Sequence, residues 1–200
     1  MEQRSHSQTR GQDLFQPLFR CLDTLLRSGE VVMAIDGGSA SGKTTLAEAL
    51  RARYDGTVFH MDDFFLRPEQ RTPERFAQPG GNVDRERFLE EVLVPLRKKR
   101  PIRYRRFDCA TFTMAPAMEV VPKRLTIIEG AYSMHPELAE YYDFSVFLAI
   151  SPELQKKRIA LRNSGQEAER FYTRWIPLEQ VYFSRLNVEA RCDLSIPIHE

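Results

Sequence analysis

The feature that most constrains this chain is a glycine-rich stretch directly after an apolar segment. The run VVMAI (31–35) leads into DGGSASGKTT (36–45), and a helical pattern follows. Residues 37–44 fit the pattern G-x-x-x-x-G-K-[ST], with a strand expected before it and a helix after it. Glycines let backbone N–H groups turn inward around an anion, and a helix N-terminus adds partial positive charge. The stretch therefore predicts a nucleoside triphosphate site of the P-loop type.

This motif predicts a phosphate site made of consecutive residues. Lys43 is expected to reach the β- and γ-phosphates of ATP, and the Thr44 hydroxyl is expected to bind Mg²⁺. A glycine-rich turn with a chance lysine is the alternative, and the agreement of motif and context argues against it. The motif therefore predicts a nucleoside triphosphate and Mg²⁺, and the family resemblance given below implies that the triphosphate is ATP. The predicted nucleotide-binding residues are Gly37, Gly38, Ser39, Ala40, Ser41, Gly42, Lys43, Thr44 and Thr45.

Hydrophobic patterning predicts strands that alternate with helices. This alternation is typical of an α/β fold, with about five parallel strands and helices on both faces of the sheet. The 200 residues are expected to form a single domain, with disorder at 1–11, a helix at 12–28 and a lid region at about 151–172. The first helix could pack on the sheet or form a dimer contact. The apolar runs that predict strands lie at 31–36, 57–61, 125–128, 142–150 and 194–198.

Composition narrows the class of function. The chain has 29 basic and 28 acidic residues, so no overall field favours nucleic acid or an anionic membrane. Its apolar runs are far shorter than a membrane span, and no signal-peptide pattern is visible. The three cysteines are widely spaced, which is typical of reduced thiols. We therefore expect a cytoplasmic protein that binds neither nucleic acid nor membranes, with a homodimer left open.

A second motif, which is acidic, helps to choose among the reactions that P-loop proteins carry out. The second predicted strand ends at HMDDFF (60–65), which puts carboxylates at the carboxyl edge of the sheet. A carboxylate at this edge can accept the proton of an attacking hydroxyl that lies in line with the γ-phosphate. A capping pair of acids in a loop is the structural alternative.

Several motifs together resemble those of a known family. The matching stretches are IDGGSASGKTTLAEAL, HMDDFF, NVD (82–84), IIEGAYS and WIPLEQVYF. They resemble the uridine kinase and nicotinamide riboside kinase group, with phosphoribulokinase and pantothenate kinase as more distant relatives. The resemblance covers about residues 30–198. It implies a nucleoside-kinase-like P-loop fold and transfer of the γ-phosphate of ATP to a hydroxyl of a nucleoside-like small molecule.

The resemblance also implies roles for three carboxylates. Asp62 matches the base, and Asp84 matches the aspartate that hydrogen-bonds the ribose hydroxyls of a nucleoside. Asp84 is also placed to cap a helix, and the two roles could coexist. Glu129 ends the third sheet strand, where the group has a carboxylate near Mg²⁺. A buried glutamate paired with a lysine is the alternative for Glu129.

The lid is predicted from two arginines. Arg158 and Arg162 stand at i and i+4 on one helix face. In the kinase group, such arginines offset charge on the oxygens of the transferring phosphoryl group. A solvated helix face is the alternative.

The acceptor-binding segment departs from the uridine kinase pattern. Phe107 holds the position of an aromatic ring that contacts the base, but Phe112 and Met114 stand near the positions of a histidine and an arginine. Recognition of uracil is therefore in doubt, while ribose recognition through Asp84 is kept. Trp175 is expected to wall the acceptor pocket, although aromatic residues at helical spacing often belong to a core.

Two other functional classes stay open from sequence. A nucleotide-dependent switch would bind triphosphate tightly and signal to a protein partner, but the chain has no N/T-K-x-D stretch to read guanine. A hydrolysing ATPase is the other alternative, and the water-excluding lid expected of a kinase argues against it.

Overall fold

The computed structural model describes residues 14–199. The predicted disorder of residues 1–11 concerns residues outside this range. Within it the strands, in chain order, are β1 (Val31–Gly37), β2 (Thr57–His60), β3 (Ile102–Tyr104), β4 (Phe107–Asp108), β5 (Thr113–Met114), β6 (Met118–Val120), β7 (Leu125–Glu129), β8 (Phe144–Ile150) and β9 (Leu194–Ile198).

Five of these strands form one parallel sheet in the order β2–β7–β1–β8–β9. Every residue of β1 and of β7 is buried, as expected for strands covered on both faces. The prediction of about five parallel strands is confirmed. Because the strands are parallel, their carboxyl ends meet at one edge, where the P-loop and Glu129 also lie.

Helices surround this sheet. Two π-helical segments, Leu89–Leu93 and Phe171–Trp175, each connect two of the α-helices. Within residues 14–199, no helix is both long and apolar enough to cross a bilayer. In chain order the helices are α1 (Gln16–Ser28), α2 (Lys43–Tyr54), α3 (Pro73–Phe76), α4 (Arg85–Phe88), α5 (Val94–Arg97), α6 (Pro136–Ala139), α7 (Pro152–Arg162), α8 (Gly165–Arg170), α9 (Ile176–Arg185) and α10 (Val188–Arg191).

The sheet separates two hydrophobic cores. Alternate residues of β1 point to opposite faces, so Met33 and Ile35 join one core while Val32 and Ala34 join the other. The predicted N-terminal helix forms α1 and contributes the fully buried Leu18 to the Met33 side. The helix therefore packs on the sheet, and a dimer contact through its outer face stays a prediction.

The stretch between α5 and β7 leaves the sheet. It forms two antiparallel pairs, β3 with β6 and β4 with β5. Phe112 lies between β4 and β5 with φ of +57°, a left-handed conformation that is uncommon for a bulky residue. The β4–β5 hairpin contributes one wall of the cavity described below.

Candidate active site

The glycine-rich stretch forms the loop from β1 to α2. Ala40 and Gly42 have φ of +62° and +99°, the kind of turning backbone that produces an anion-binding concavity. A Cβ at Gly37 would lie 2.5 Å from the backbone oxygen of Leu148 in β8. Glycine is therefore required at Gly37 by close packing on the sheet as well as by its φ of +141°.

Lys43 begins α2 and is almost completely buried against this loop. Its Nζ donates to the carbonyl oxygens of Gly37 at 2.9 Å and Gly38 at 3.0 Å. Phosphate oxygens offer a stronger, charge-assisted bond than neutral carbonyls. The ammonium is therefore held at the loop and can exchange these carbonyls for a bound phosphate.

Two distant helices fix the same loop. Glu179 of α9 accepts hydrogen bonds from the Ser39 N–H at 3.0 Å and from the Ser39 Oγ at 2.5 Å. Gln155 of α7 donates to the backbone carbonyl oxygen of Ser39 at 3.0 Å. Burial raises the pKa of Glu179, and the Lys43 ammonium opposes that rise. Sequence reasoning did not identify Glu179 or Gln155, although Glu179 stands within the quoted motif WIPLEQVYF.

A cavity of about 610 Å³ opens beside the loop. It brings together most of the predicted site residues, from segments far apart in the chain. Gly37, Gly38 and Ser41 belong to the loop but not to this lining, and Asp84 and Phe107 are also outside it. The predicted residues that line the cavity are Ser39, Ala40, Gly42, Lys43, Thr44, Thr45, Asp62, Glu129, Arg158, Arg162 and Trp175.

Of the acidic pair after β2, only Asp62 faces the cavity. It lies in a 3₁₀ turn, Met61–Phe64, and its side chain is accessible from the cavity. Because the cavity is recessed, protein atoms still displace much of the water around this carboxylate. Burial raises the pKa of Asp62, and the Lys43 ammonium opposes that rise. Asp63 turns away and pairs with the Nε of Arg106 at 3.2 Å. The structure thus separates two neighbouring carboxylates that the sequence alone could not tell apart.

Glu129 joins the loop to β2 through two contacts. Its Oε1 accepts from the Thr44 hydroxyl at 3.1 Å and lies 2.5 Å from the Nδ1 of His60. The hydrogen bond to Glu129 raises the pKa of His60. A hydroxyl and a carboxylate are hard oxygen donors, and Mg²⁺ is commonly held by one or two such groups together with phosphate oxygens and waters. Thr44 and Glu129 therefore fit the predicted metal.

The metal would depend on the nucleotide for its other ligands. Among residues 14–199, no group of three or more histidine, cysteine, aspartate or glutamate side chains could hold a metal ion.

Both predicted lid arginines reach the cavity from α7. The Nη1 of Arg158 donates to the Ala40 oxygen at 3.2 Å, and its Nη2 donates to the His199 oxygen at 3.3 Å. The guanidinium of Arg162 lies 5.5 Å from the ring centroid of Phe171. Arg158 therefore contacts the phosphate-binding loop, whereas Arg162 lies beside Phe171, and the action of both as a lid stays a prediction.

The other end of the cavity is aromatic. The rings of Phe65 and Trp175 lie 6.3 Å apart between centroids, and Phe171 and Tyr132 also line this end. Trp175 thus walls the cavity, as predicted, whereas its neighbour Tyr182 is fully buried in the core.

The β4–β5 hairpin faces the cavity with a different residue from the one predicted. Phe107 is 5% exposed and packs edge-on to Phe112, with 6.3 Å between ring centroids. Cys109 lines the cavity instead. The sequence placed the hairpin at the acceptor pocket but did not indicate which of its side chains faces inward.

Asp84 is buried near the aromatic end of the cavity, two residues from Asn82 of the lining, but is not itself part of the lining. Its Oδ1 accepts from the Arg87 N–H at 3.2 Å and caps α4, as the sequence predicted. Its Oδ2 is buried and makes no hydrogen bond, although the Nε atoms of Arg87 and Arg67 lie at 3.5 and 3.6 Å.

Comparisons with known proteins agree with this geometry. Three solved structures share the fold: a possible uridine kinase from Bacillus stearothermophilus (TM-score 0.63, 23% identity, 90% of this chain and 100% of that chain covered), a candidate fructose transport system kinase from Silicibacter sp. TM1040 (0.65, 24%, 84% and 90%), and D-glycerate 3-kinase from Cryptococcus neoformans var. grubii (0.55, 15%, 75% and 78%).

At these identities the similarity shows the fold, which is that of α/β P-loop kinases, and the predicted fold class is confirmed. A match to a protein family is more specific than a shared fold. Residues 32–174, well over half of the chain, match the description Phosphoribulokinase / Uridine kinase family. This match includes the P-loop, the Asp62 turn, Glu129 and the helix of Arg158 and Arg162. The chain belongs to the phosphoribulokinase / uridine kinase family.

Proposed function

We propose that this protein is an ATP-dependent phosphotransferase that moves the γ-phosphate to a hydroxyl of a nucleoside-like small molecule. Its family consists of P-loop kinases, which act on small molecules and use ATP, usually with Mg²⁺. One observation carries the proposal. A single cavity is lined by the phosphate-binding loop, which follows β1, and by the Asp62 carboxylate, which follows β2.

In this proposal the loop residues Gly37–Thr45 hold the phosphates of ATP, with Lys43 reaching the β- and γ-phosphates. Thr44 and Glu129 would hold Mg²⁺, whose charge, when the ion is bound, offsets that of the phosphates. The hydrogen bonds of Glu179 and Gln155 to Ser39 keep the loop in one conformation before the nucleotide binds.

Asp62 is the proposed general base. The acceptor oxygen bonds to the γ-phosphorus while the bond from that phosphorus to the bridging oxygen breaks, so that ADP leaves. The hydroxyl proton passes to a carboxylate oxygen of Asp62. Burial raises the pKa of Asp62 and makes it a better proton acceptor, and Lys43 opposes this rise and favours the ionised form that the step requires.

Charge that develops on the transferring group is offset by cations of the same cavity. Lys43, Arg158 and Arg162 are the cations among the described residues that line the cavity. We propose that Arg158 and Arg162 approach the phosphoryl oxygens when the 151–172 region closes over bound ATP. Closure would also exclude water and so favour transfer over hydrolysis.

The acceptor end favours a molecule with a planar ring. Phe65 and Trp175 offer aromatic faces on which such a ring can stack. Asp84, whose Oδ2 makes no hydrogen bond but lies near Arg87 and Arg67, is the proposed acceptor for ribose-type hydroxyls. The three cations of the lining are assigned to phosphate, which disfavours a sugar acid such as the glycerate named for one structural relative.

The test compares Asp62→Asn with Asp63→Asn, its neighbour that pairs with Arg106 outside the cavity. ADP release is measured across a panel of nucleosides, vitamins and sugars. We expect Asp62→Asn to lower acceptor-dependent turnover by about 10²–10⁴-fold, with ATP affinity within about twofold of wild type. Asp63→Asn should keep most of the turnover.

Normal turnover in Asp62→Asn would refute the assignment of the base. If the wild-type protein binds nucleotide tightly but no acceptor raises its ADP release, the switch alternative is favoured. Acceptor-independent ADP release at the full rate would instead favour a hydrolysing ATPase.

A further inference from the structure

The amide of Asn82 is a buried polar group that the proposed mechanism does not use. Asn82 is 5% exposed and lines the cavity, and neither its Oδ1 nor its Nδ2 makes a hydrogen bond of normal geometry, although the side chain of Tyr132, also in the lining, is close enough to interact with it. Buried polar side chains in folded proteins nearly always have a partner, so an unpartnered amide needs an explanation. Because this one lies at a cavity wall, a ligand in the cavity is the explanation that its position supports.

The backbone on both sides of Asn82 is fixed. Arg75 donates to the carbonyl oxygens of Gly81 at 2.9 Å and Val83 at 2.8 Å, and its guanidinium also pairs with Glu86 at 2.6 Å. A Cβ at Gly81 would lie 1.9 Å from the Arg75 oxygen, so only glycine fits there. The Pro/Gly-rich stretch before NVD therefore holds one amide in a set place at the cavity wall.

The nearby charges limit what this amide can bind. Asp62 lines the same cavity, and Asp84 lies two residues along the chain from Asn82 with its Oδ2 3.5 and 3.6 Å from the Nε atoms of Arg87 and Arg67. These arginines offset the charge of Asp84, whereas Asp62 would repel an anionic group of the acceptor. The partner of the amide is therefore a neutral polar group of the acceptor.

We propose that Asn82 determines acceptor specificity by pairing its carboxamide with a neighbouring donor and acceptor on the substrate. A carboxamide presents an oxygen acceptor beside N–H donors, which complements either a vicinal diol or the amide edge of a ring. The inference rests on the proposed phosphotransfer, and assigns the recognition of the acceptor to a residue that faces it directly. Asp62 performs the chemistry, and Asn82 selects the molecule.

The first experiment compares Asn82→Ala with Gln78→Ala. Gln78 carries the same carboxamide in the same stretch but is exposed outside the cavity. We expect Asn82→Ala to lower kcat/KM for the best acceptor by about 10–100-fold, with the KM for ATP and the Tm close to wild type. Gln78→Ala should match wild type in all three. An acceptor kcat/KM within about twofold of wild type in a folded Asn82→Ala would overturn the proposal.

The second experiment separates contact with substrate from a structural role. Wild type and Asn82→Ala are each assayed with the best acceptor, with its monodeoxy analogues and with an analogue methylated at the ring amide. If Asn82 contacts the altered group, the analogue loses activity in wild type but hardly at all in Asn82→Ala. Sensitivity to a deoxy analogue identifies a diol, and sensitivity to methylation identifies a ring amide. Equal losses in both proteins for every analogue would overturn the proposal.

Failure of the inference and failure of the proposed function give different results. An active wild type with an unaffected Asn82→Ala contradicts the inference alone. A wild type that phosphorylates no acceptor contradicts both. If Asn82→Ala does not fold, Asn82→Asp, which has nearly the same size, replaces it in the analogue series. This variant lacks the N–H donors of the carboxamide. If it discriminates among the analogues as wild type does, the proposal is contradicted.

Discussion

At the scale of single residues, His135 shows how burial couples protonation to stability. It is 8% exposed and its Nδ1 accepts from the Glu137 N–H at 3.3 Å, which caps α6. Burial lowers the pKa of His135 to about 4, and the positive charge of Arg85 acts in the same direction. The neutral imidazole is therefore the form that the folded protein requires.

This depressed pKa predicts a pH dependence of stability. The unfolded chain binds the His135 proton near pH 6.5 and the folded chain only near pH 4, so stability is full above pH 6.5 and falls as the pH drops towards 4. In urea unfolding, wild type should lose about 1–2 kcal/mol more than His135→Asn between pH 7 and pH 5. Asparagine keeps a capping side chain but cannot titrate. Equal losses in the two proteins would contradict this account.

At the scale of elements, α9 positions the P-loop through Glu179. The two bonds to Ser39 connect segments 140 residues apart in the chain, and they place a buried carboxylate beside a site for anions. Glu179 has two opposite effects on the binding of ATP. Its hydrogen bonds order the loop, which favours binding, while its negative charge repels the phosphates.

Two substitutions separate these effects. Glu179→Gln keeps a carbonyl oxygen that can accept from the Ser39 N–H but removes the charge, so ATP affinity should equal or exceed that of wild type. Glu179→Ala removes both hydrogen bonds and should weaken ATP binding by about tenfold, since each bond to a charged group contributes about 1.5–3 kcal/mol and the lost repulsion offsets part of this. Isothermal titration calorimetry with ATP measures both. Similar affinities in the two variants would refute the ordering role.

At the scale of the whole molecule, local patterns predicted the fold well. The α2 helix runs from Lys43 to Tyr54 as expected, and the sheet strands lie within one or two residues of their predicted bounds. These elements depend on signals that are contiguous in sequence: an apolar run, a glycine turn, an amphipathic spacing. The P-loop, Asp62 and Glu129 were predictable for the same reason, because each is attached to the end of a strand.

The rest of the site depends on contacts between distant segments. Glu179 and Gln155 reach Ser39 from helices more than a hundred residues away, and nothing in their own neighbourhood marks them. The exchange of Phe107 for Cys109 at the cavity depends on how the hairpin packs, which sequence alternation does not determine. Asn82 stood in the quoted NVD motif, but only its burial without a partner distinguishes it.

In the proposed function, one cavity transfers phosphate from ATP to a small-molecule hydroxyl. Identification of the product tests this function. The protein is incubated with γ-labelled ATP, Mg²⁺ and each acceptor of the panel, and the label is followed by chromatography and mass spectrometry. We predict that the label appears as a phosphomonoester of a ring-bearing, hydroxylated acceptor, in a one-to-one ratio with ADP. Label found only as inorganic phosphate, with every acceptor unchanged, would contradict the account.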